Sequence, residues 1–451
     1  MKDKVQQSVA FLLVMAGCGG MLFDFGGTII GPAIPYLENL KTFDTAEISH
    51  LSSAVVMSAA IACLAAGWLA DRFGRKAMML FPAAVAGFAC VPICFSPELE
   101  SLTGLGAYWY FYAGRAMQGV AAGIIGVVVP MYLAESLDAA NRGKGAGVFQ
   151  LLDFVGISFC SLVGLAVVHL IGSADGDAIS AARKVLAWKT VFWSSAAPAV
   201  LFFLGALGLR ESPVWLARKE TAQSPEPSIA TQTSETLFQR KFVLPFLISL
   251  AVLICNQAIG FNAIQYFSIP MFKAVGLSHE AASAANVAVW LVPLPVTALA
   301  CGLVDRAGRK VLLKAGTIGM VAAYVLAAAM FLSLEKGWLA GSSVAGWTTV
   351  GAIALFVASF SFGPGVVVWL ALSELMPDRI RANGMSICLF VNQMVAFAIS
   401  DAFLQWVEKS GYATVLFWLA GFAFVYFLVA AFLLPETKGK TLEEIEAYFK
   451  G

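Results

Sequence analysis

A few polar side chains sit inside otherwise apolar stretches, and these are the groups able to do chemistry. They are the amides Gln150, Asn256, Gln257, Asn262, Asn392 and Gln393, the acids Asp24 and Asp153, and the cation Arg115. An amide offers donors and acceptors together, which suits the vicinal hydroxyls of a solute stripped of its water, and an aromatic face such as that of Trp369 can cover the apolar side of its ring. The same amides can instead bond neighbouring helices to one another. Asp153 lies three residues beyond Gln150 and therefore on the same helix face. Counted from Arg142 at a membrane edge, eleven residues at about 1.5 Å each set Asp153 roughly 16 Å deep, near the bilayer centre. A carboxylate at that depth needs a proton, a cation or several donors. It carries a coupled proton, binds a cationic or strongly hydrogen-bonding solute, or serves structure alone.

The elements that must hold these groups are long apolar helices. The 451-residue chain is 59% hydrophobic and 13% charged, its mean hydropathy is +0.81, and an ordinary soluble domain is about a quarter charged. Twelve stretches are long enough to cross a hydrocarbon core of about 30 Å: 8–37, 46–70, 77–96, 106–135, 143–171, 187–209, 241–275, 279–304, 311–334, 345–376, 383–408 and 412–434. The turn Gly67-Trp68-Leu69-Ala70-Asp71-Arg72-Phe73-Gly74-Arg75-Lys76 returns as Gly302-Leu303-Val304-Asp305-Arg306-Ala307-Gly308-Arg309-Lys310. The separation of Asp71 and Asp305 is 234 residues, about half of the chain. Two parallel six-helix repeats follow: residues 1–210 and 241–434, joined by a linker at 211–240 with short intracellular helices and followed by a cytoplasmic helix within 435–451. With the N-terminus inside, 21 Lys and Arg fall on the inner side against seven outside, so both termini are cytoplasmic.

Charge and cysteine usage close off other classes. A net charge of +1 gives no basis for nucleic-acid binding, and the eight cysteines all fall inside apolar runs, where they read as small buried hydrophobes, with no metal or cofactor site. His50, His169 and His279 fall near the outer ends of spans and read as interface residues, with pH sensing as the other option. A membrane enzyme would need a metal cluster, or a nucleophile with its base, and a carrier-like sensor would add a long signalling tail. A solute carrier working by alternating access fits the pattern best.

The chain resembles the sugar porter branch of the major facilitator superfamily, which includes facilitative glucose transporters and bacterial proton-sugar symporters. Besides the two turn motifs, the resemblance rests on Gly114-Arg115-Ala116-Met117-Gln118-Gly119, Pro130-Met131-Tyr132-Leu133-Ala134-Glu135 with Arg142-Gly143, and Glu211-Ser212-Pro213-Val214-Trp215-Leu216. It continues through Gly260-Phe261-Asn262, Gly363-Pro364-Gly365 with Trp369, Glu374 with Arg381, and Pro435-Glu436-Thr437-Lys438-Gly439. It implies the major facilitator fold, a sugar or polyol as cargo, protons as coupled partner, the lipid bilayer as environment and a functional monomer. By resemblance Gln150, Gln257, Asn262, Trp369 and Asn392 match sugar-contacting positions, and Tyr266 and Phe267 match a gate on the seventh span.

Two further readings combine the residues with the resemblance. Asp71, Arg72, Arg75, Glu135 and Arg142 cluster at the inner ends of the first repeat, and Asp305, Arg306, Arg309, Glu374 and Arg381 repeat that arrangement in the second. Such pairs can latch one end of the bundle shut and part when the halves rock; positive-inside anchoring is the alternative. Proton symporters of the family place a carboxylate where this chain has Gly26, able to pair with the position of Arg115. Here Asp24 stands two residues earlier, about 200° round a regular helix, so Asp24, Arg115 and Asp153 are the candidates for proton coupling. Asn256, Pro293 and Gln393 also depart from the family pattern, which argues against a standard glucose pocket. An uncoupled sugar facilitator, or a carrier of an organic cation or acid, is the other reading of the same fold.

Overall fold

The computed structural model describes residues 8–137, 139–176, 178–222, 240–338, 343–376, 381–438, 444, 448 and 449. Among them there is no strand. The spans are α1 Val9–Leu40, α2 Thr45–Phe73, α3 Ala77–Cys94, α4 Ala107–Ser136, α5 Gly147–Leu170, α6 Ala181–Leu207, α7 Phe242–Ala274, α8 His279–Val304, α9 Arg309–Glu335 and α10 Val344–Trp369. The last apolar segment, Gly384–Leu433, is 50 residues long and would measure about 75 Å as one helix, more than twice the hydrocarbon core. Gly411 turns it, with φ 76° and ψ 159°, dividing it into α11 (384–410) and α12 (412–433). Eleven continuous apolar segments therefore make the twelve spans read from the sequence. The sixth span begins at Ala181, six residues before the start at 187 expected from hydropathy, because Ser180 caps it by accepting from the Arg183 N–H at 3.4 Å.

Local sequence explains where spans begin. Asp44 opens α2 through a capping box, its Oδ1 accepting from the Glu47 N–H at 2.7 Å while Glu47 accepts from the Asp44 N–H at 3.0 Å. Ser278 caps α8, accepting from the Ala281 N–H at 3.2 Å. The duplicated turn is a duplicated conformation: Gly74 has φ 96° and ψ 156°, and Gly308 has φ 94° and ψ 153°. That backbone is open to glycine and strained for other residues. Each turn is then bound by a carboxylate from beyond its own repeat's last span. Glu211 accepts from the N–H groups of Arg75 and Lys76, and Glu436 from those of Arg309 and Lys310 at 3.1 Å each. These turns mark what is called here the linker face; the opposite side is the far face.

Within the first repeat α1 packs on α5 and α2 on α4; in the second α9 packs on α10 and α7 on α11. The repeats meet where α5 touches α8, α2 touches α11, and the distal part of α7 touches α1. Residues 223–239 of the linker and most of the C-terminal helix expected from Thr441 lie outside the described residues. The described part of the linker holds one helix, Pro213–Ala222.

Candidate substrate site and gates

The closest approach of α1 and α5 builds the centre of the site. A Cβ on Gly20 would collide with the Phe149 carbonyl and lie 3.2 Å from the Asp153 nitrogen, and one on Gly156 would strike the backbone of Met21. Glycine at both places lets the two backbones touch. One turn beyond Gly20, Asp24 therefore stands beside the face that carries Asp153, and the two carboxylates feel each other's charge. Asp153 is 5% exposed. Its Oδ2 accepts from Gln150 Nε2 at 3.1 Å, and its Oδ1 is buried with no hydrogen-bond partner. The same-face relation of Gln150 and Asp153 read from their spacing is thus a direct contact.

A residue that the sequence reading passed over completes this cluster. Gln265, on α7 of the opposite repeat, donates to the Thr28 hydroxyl at 2.6 Å and is the hydrogen-bonding neighbour of Asp24. Its Oε1 is buried without a partner. The available signal was its position three residues beyond Asn262, one helical turn along the same span. Tyr266 follows it, 2% exposed, with its hydroxyl where a Cβ on Gly27 would come to 3.0 Å.

Arg115 is fully buried. Its guanidinium donates to Leu51 O at 3.0 Å, Gly27 O at 3.1 Å, Gln118 Oε1 at 2.7 Å, Ser52 O at 3.5 Å and Gly26 O. Every one is a neutral oxygen. Five acceptors match the five N–H groups of a guanidinium, so no donor of Arg115 is left free for a carboxylate.

The other amides divide into bonded and open groups. Asn392, 1% exposed, donates to Leu253 O at 2.9 Å and accepts from Gln257 Nε2 at 3.4 Å, tying α11 to α7. That is the helix-bonding role set against solute contact for these groups. Gln257 keeps a buried, unpartnered Oε1 and Asn256 a buried, unpartnered Oδ1. Asn262 and Gln393 are half-buried and engage in no described hydrogen bond. Trp369 is 44% exposed near the end of α10.

The far face is closed by bonds between the repeats. Asp401 Oδ1 on α11 takes His50 Nδ1 of α2 at 2.7 Å and the Ser53 hydroxyl at 2.6 Å. Asp175, between α5 and α6, meets Lys273 of α7 at 2.8 Å and accepts from the His279 N–H at 2.7 Å. His279 Nδ1 in turn accepts from the Ala174 N–H at 3.0 Å, and His169 lies 3.4 Å from Glu280. All three histidines thus bridge the repeats, His50 and His169 from exposed positions and His279 wholly buried. Deeper in, Ser158 donates to Trp290 O and Asn286 to Ser161, again between α5 and α8. Phe267, on the far-face side of Tyr266, stacks on Phe403 of α11 at 5.4 Å.

The linker face is built differently. Buried Arg75 pairs with Glu135 at 2.7 Å and with Asp71 at 2.8 Å; Arg309 pairs with Glu374 at 3.0 Å. Glu135 also accepts from Ser212, and Glu374 from Thr437 at 2.6 Å. Among the described residues these pairs form two like clusters, one at the inner end of each repeat. Arg72 lies over Trp68 at 5.4 Å, and the Arg306 carbonyl accepts from Lys438 at 2.6 Å. The side chains of Arg142, Asp305 and Arg381 lie outside the described residues. Among the described residues, every side-chain bond between the repeats lies from mid-membrane to the far face.

The family model described as sugar (and other) transporter matches residues 12–449. The arabinose-proton symporter of Bacillus subtilis is 26% identical to this chain over 97% of it and 95% of the relative. The major myo-inositol transporter IolT of the same organism is 27% identical over 97% of this chain and 94% of its own. A mouse facilitated glucose transporter, member 8 of solute carrier family 2, is 27% identical over 97% and 93%. Among solved structures, the inward-open conformation of the xylose transporter XylE from E. coli superposes with a TM-score of 0.80 at 22% identity, covering 98% of this chain and all of that one. That likeness is one of fold, the major facilitator fold.

Proposed function

Because the chain belongs to the sugar (and other) transporter family, and is a carrier rather than an enzyme, we propose that it moves a sugar or polyol across the cell membrane by alternating access, coupled to protons through Asp24 and Asp153. The observation that carries the reading is where the bonds between the repeats lie among the described residues. Cross-repeat bonds run from Thr28–Gln265 outward to His50–Asp401, while both linker-face clamps stay inside their own repeat. Two halves whose described side-chain bonds to each other all lie on one side fit one end state of a rocking carrier. The excess of Lys and Arg puts the linker face in the cytoplasm, so this state is open inward.

The cargo class follows from the relatives and from the side chains together. Arabinose, myo-inositol and glucose, which give three relatives their names, are neutral and polyhydroxylated. Gln150, Asn256, Gln257, Asn262 and Gln393 offer the amide donors and acceptors that such a solute exchanges for water, with Trp369 as the aromatic wall and Tyr266 and Phe267 as the gate. The unpartnered oxygens of Asn256 and Gln257 are acceptors awaiting hydroxyl donors. The domain plan remains 1–210, 211–240, 241–434 and 435–451, acting as a monomer, since each chain holds both halves. As the halves rock, Gln265 and Tyr266 move with the second repeat and Asp24 and Asp153 with the first. The environment of the two acids therefore changes with the side that is open, which is what proton coupling requires.

The test is uptake of labelled hexoses, pentoses and inositol into proteoliposomes, with and without an inward proton gradient. Accumulation above equilibrium that requires the gradient is expected, and Asp153→Asn should abolish accumulation while sparing exchange. Gradient-independent equilibration would make the protein a facilitator, and entry of none of these solutes would remove the cargo assignment.

A further inference from the structure

Asp153 Oδ1 and Gln265 Oε1 come from opposite repeats, both are buried acceptors, and neither has a donor. Asp24 lies between them in the bonding pattern, as the neighbour of Gln265 and the charge that Asp153 feels. Gln265 is oriented by its bond to the Thr28 hydroxyl at 2.6 Å, which leaves the carbonyl end of the amide open. The other titratable groups facing this place are Arg115 on α4, Tyr266 on α7 and Cys160 on α5. Arg115, the one cation among them, is already saturated by neutral oxygens. Asp24 thus lies between Asp153 on one side and Gln265 on the other, and among the described residues no cation bonds to either acid.

We propose that this place is an ammonium subsite: among polyhydroxylated solutes the carrier prefers those bearing an amine, whose charged nitrogen sits against Asp24, Asp153 and Gln265 while the hydroxyls take the amides of Gln150, Gln257 and Asn262. An ammonium has three donors and no acceptor, which matches three acceptor groups with nothing left over. A hydroxyl brings one donor together with acceptors that this corner has no donor to meet. With a neutral sugar bound, a proton takes the ammonium's place on the two acids. The inference rests on the carrier reading above and names a substrate class within it.

The experiment measures inhibition of labelled D-glucose and myo-inositol exchange in proteoliposomes by matched pairs: D-glucose against D-glucosamine, and scyllo-inositol against scyllo-inosamine, below the pKa of the amine. In the wild type the amine should lower the half-inhibitory concentration about tenfold or more, the scale of a hydrogen-bonded charge on a buried partner. In Asp153→Asn and Asp24→Asn the ratio of amine to parent should fall towards one whatever the change in parent affinity. A wild-type ratio near one overturns the subsite and needs no variant to be read. A preference that persists in both variants overturns it as well. If neutral sugars exchange but amines gain nothing, the subsite alone falls; if neither labelled solute exchanges, the sugar-carrier reading falls and the subsite with it.

Discussion

Replacing Asp401 by Ala should tilt the carrier away from the far-face-closed state. One oxygen of Asp401 holds two bonds across the repeats, to His50 at 2.7 Å and to Ser53 at 2.6 Å. A hydrogen bond is worth about 0.5–1.5 kcal/mol net. The His50 side chain is 45% exposed against 21% for Asp401, so its bond belongs at the low end and the Ser53 bond nearer the middle. The sum is about 1.5–2 kcal/mol, a shift of roughly 10- to 30-fold in the equilibrium between the two end states. Spin labels at Thr42→Cys and Lys409→Cys, both exposed on the far face, with exposed Cys301 replaced by Ser, report the separation of α2 and α11 by pulsed electron resonance. The population at long separation should rise in Asp401→Ala and less in Asp401→Asn, which keeps an acceptor oxygen. An unchanged distance distribution, or one shifted towards shorter separation, would refute the claim that these two bonds hold the far face closed.

Two further outcomes follow from the clamps and the far-face loop. Glu135→Ala leaves Arg75, whose side chain is 2% exposed, with Asp71 as its remaining described acid, and should lower stability by about 1.5–3 kcal/mol, the scale of a hydrogen bond to a buried charged group; Glu374→Ala, with its pair at 22% and 12% exposed, should cost about 1 kcal/mol. Thermal unfolding in detergent ranks the two, and equal losses would count against burial as the deciding factor. For Asp175, outside the spans, burial pushes the carboxyl up, but the Lys273 ammonium, the His279 N–H and the His279 side chain outweigh it and hold it below its ordinary 3.8. A lowered carboxyl contributes stability that is complete above the ordinary value and is lost as pH falls through the lower folded one. The Asp175–Lys273 contact should therefore be unchanged from about pH 5 to pH 8, and a pH dependence of thermal stability in that window that Asp175→Asn removes would contradict it.

The sequence by itself determined the class of molecule. Apolar runs of about 20 residues have no stable place outside a bilayer, and the repeated Asp-Arg-x-Gly-Arg-Lys turn needs the same glycine conformation twice, which Gly74 and Gly308 adopt within a few degrees. The pairing of Gln150 with Asp153 was legible because spacing along one helix fixes which side chains share a face. The partners of Arg115 were not, because backbone carbonyls carry no residue identity and any sequence supplies them. Gln265 was hidden for a related reason: an amide declares its role only by what faces it, and its partners Thr28 and Asp24 are more than 200 residues away. Whether the charges at the linker face clamp one repeat or latch two was likewise undecided, since like motifs in both repeats allow either pairing. Tertiary structure decided the pairs Arg75–Glu135 and Arg309–Glu374, because ion pairs form at contact distance, and contact is set by how helices lean on each other.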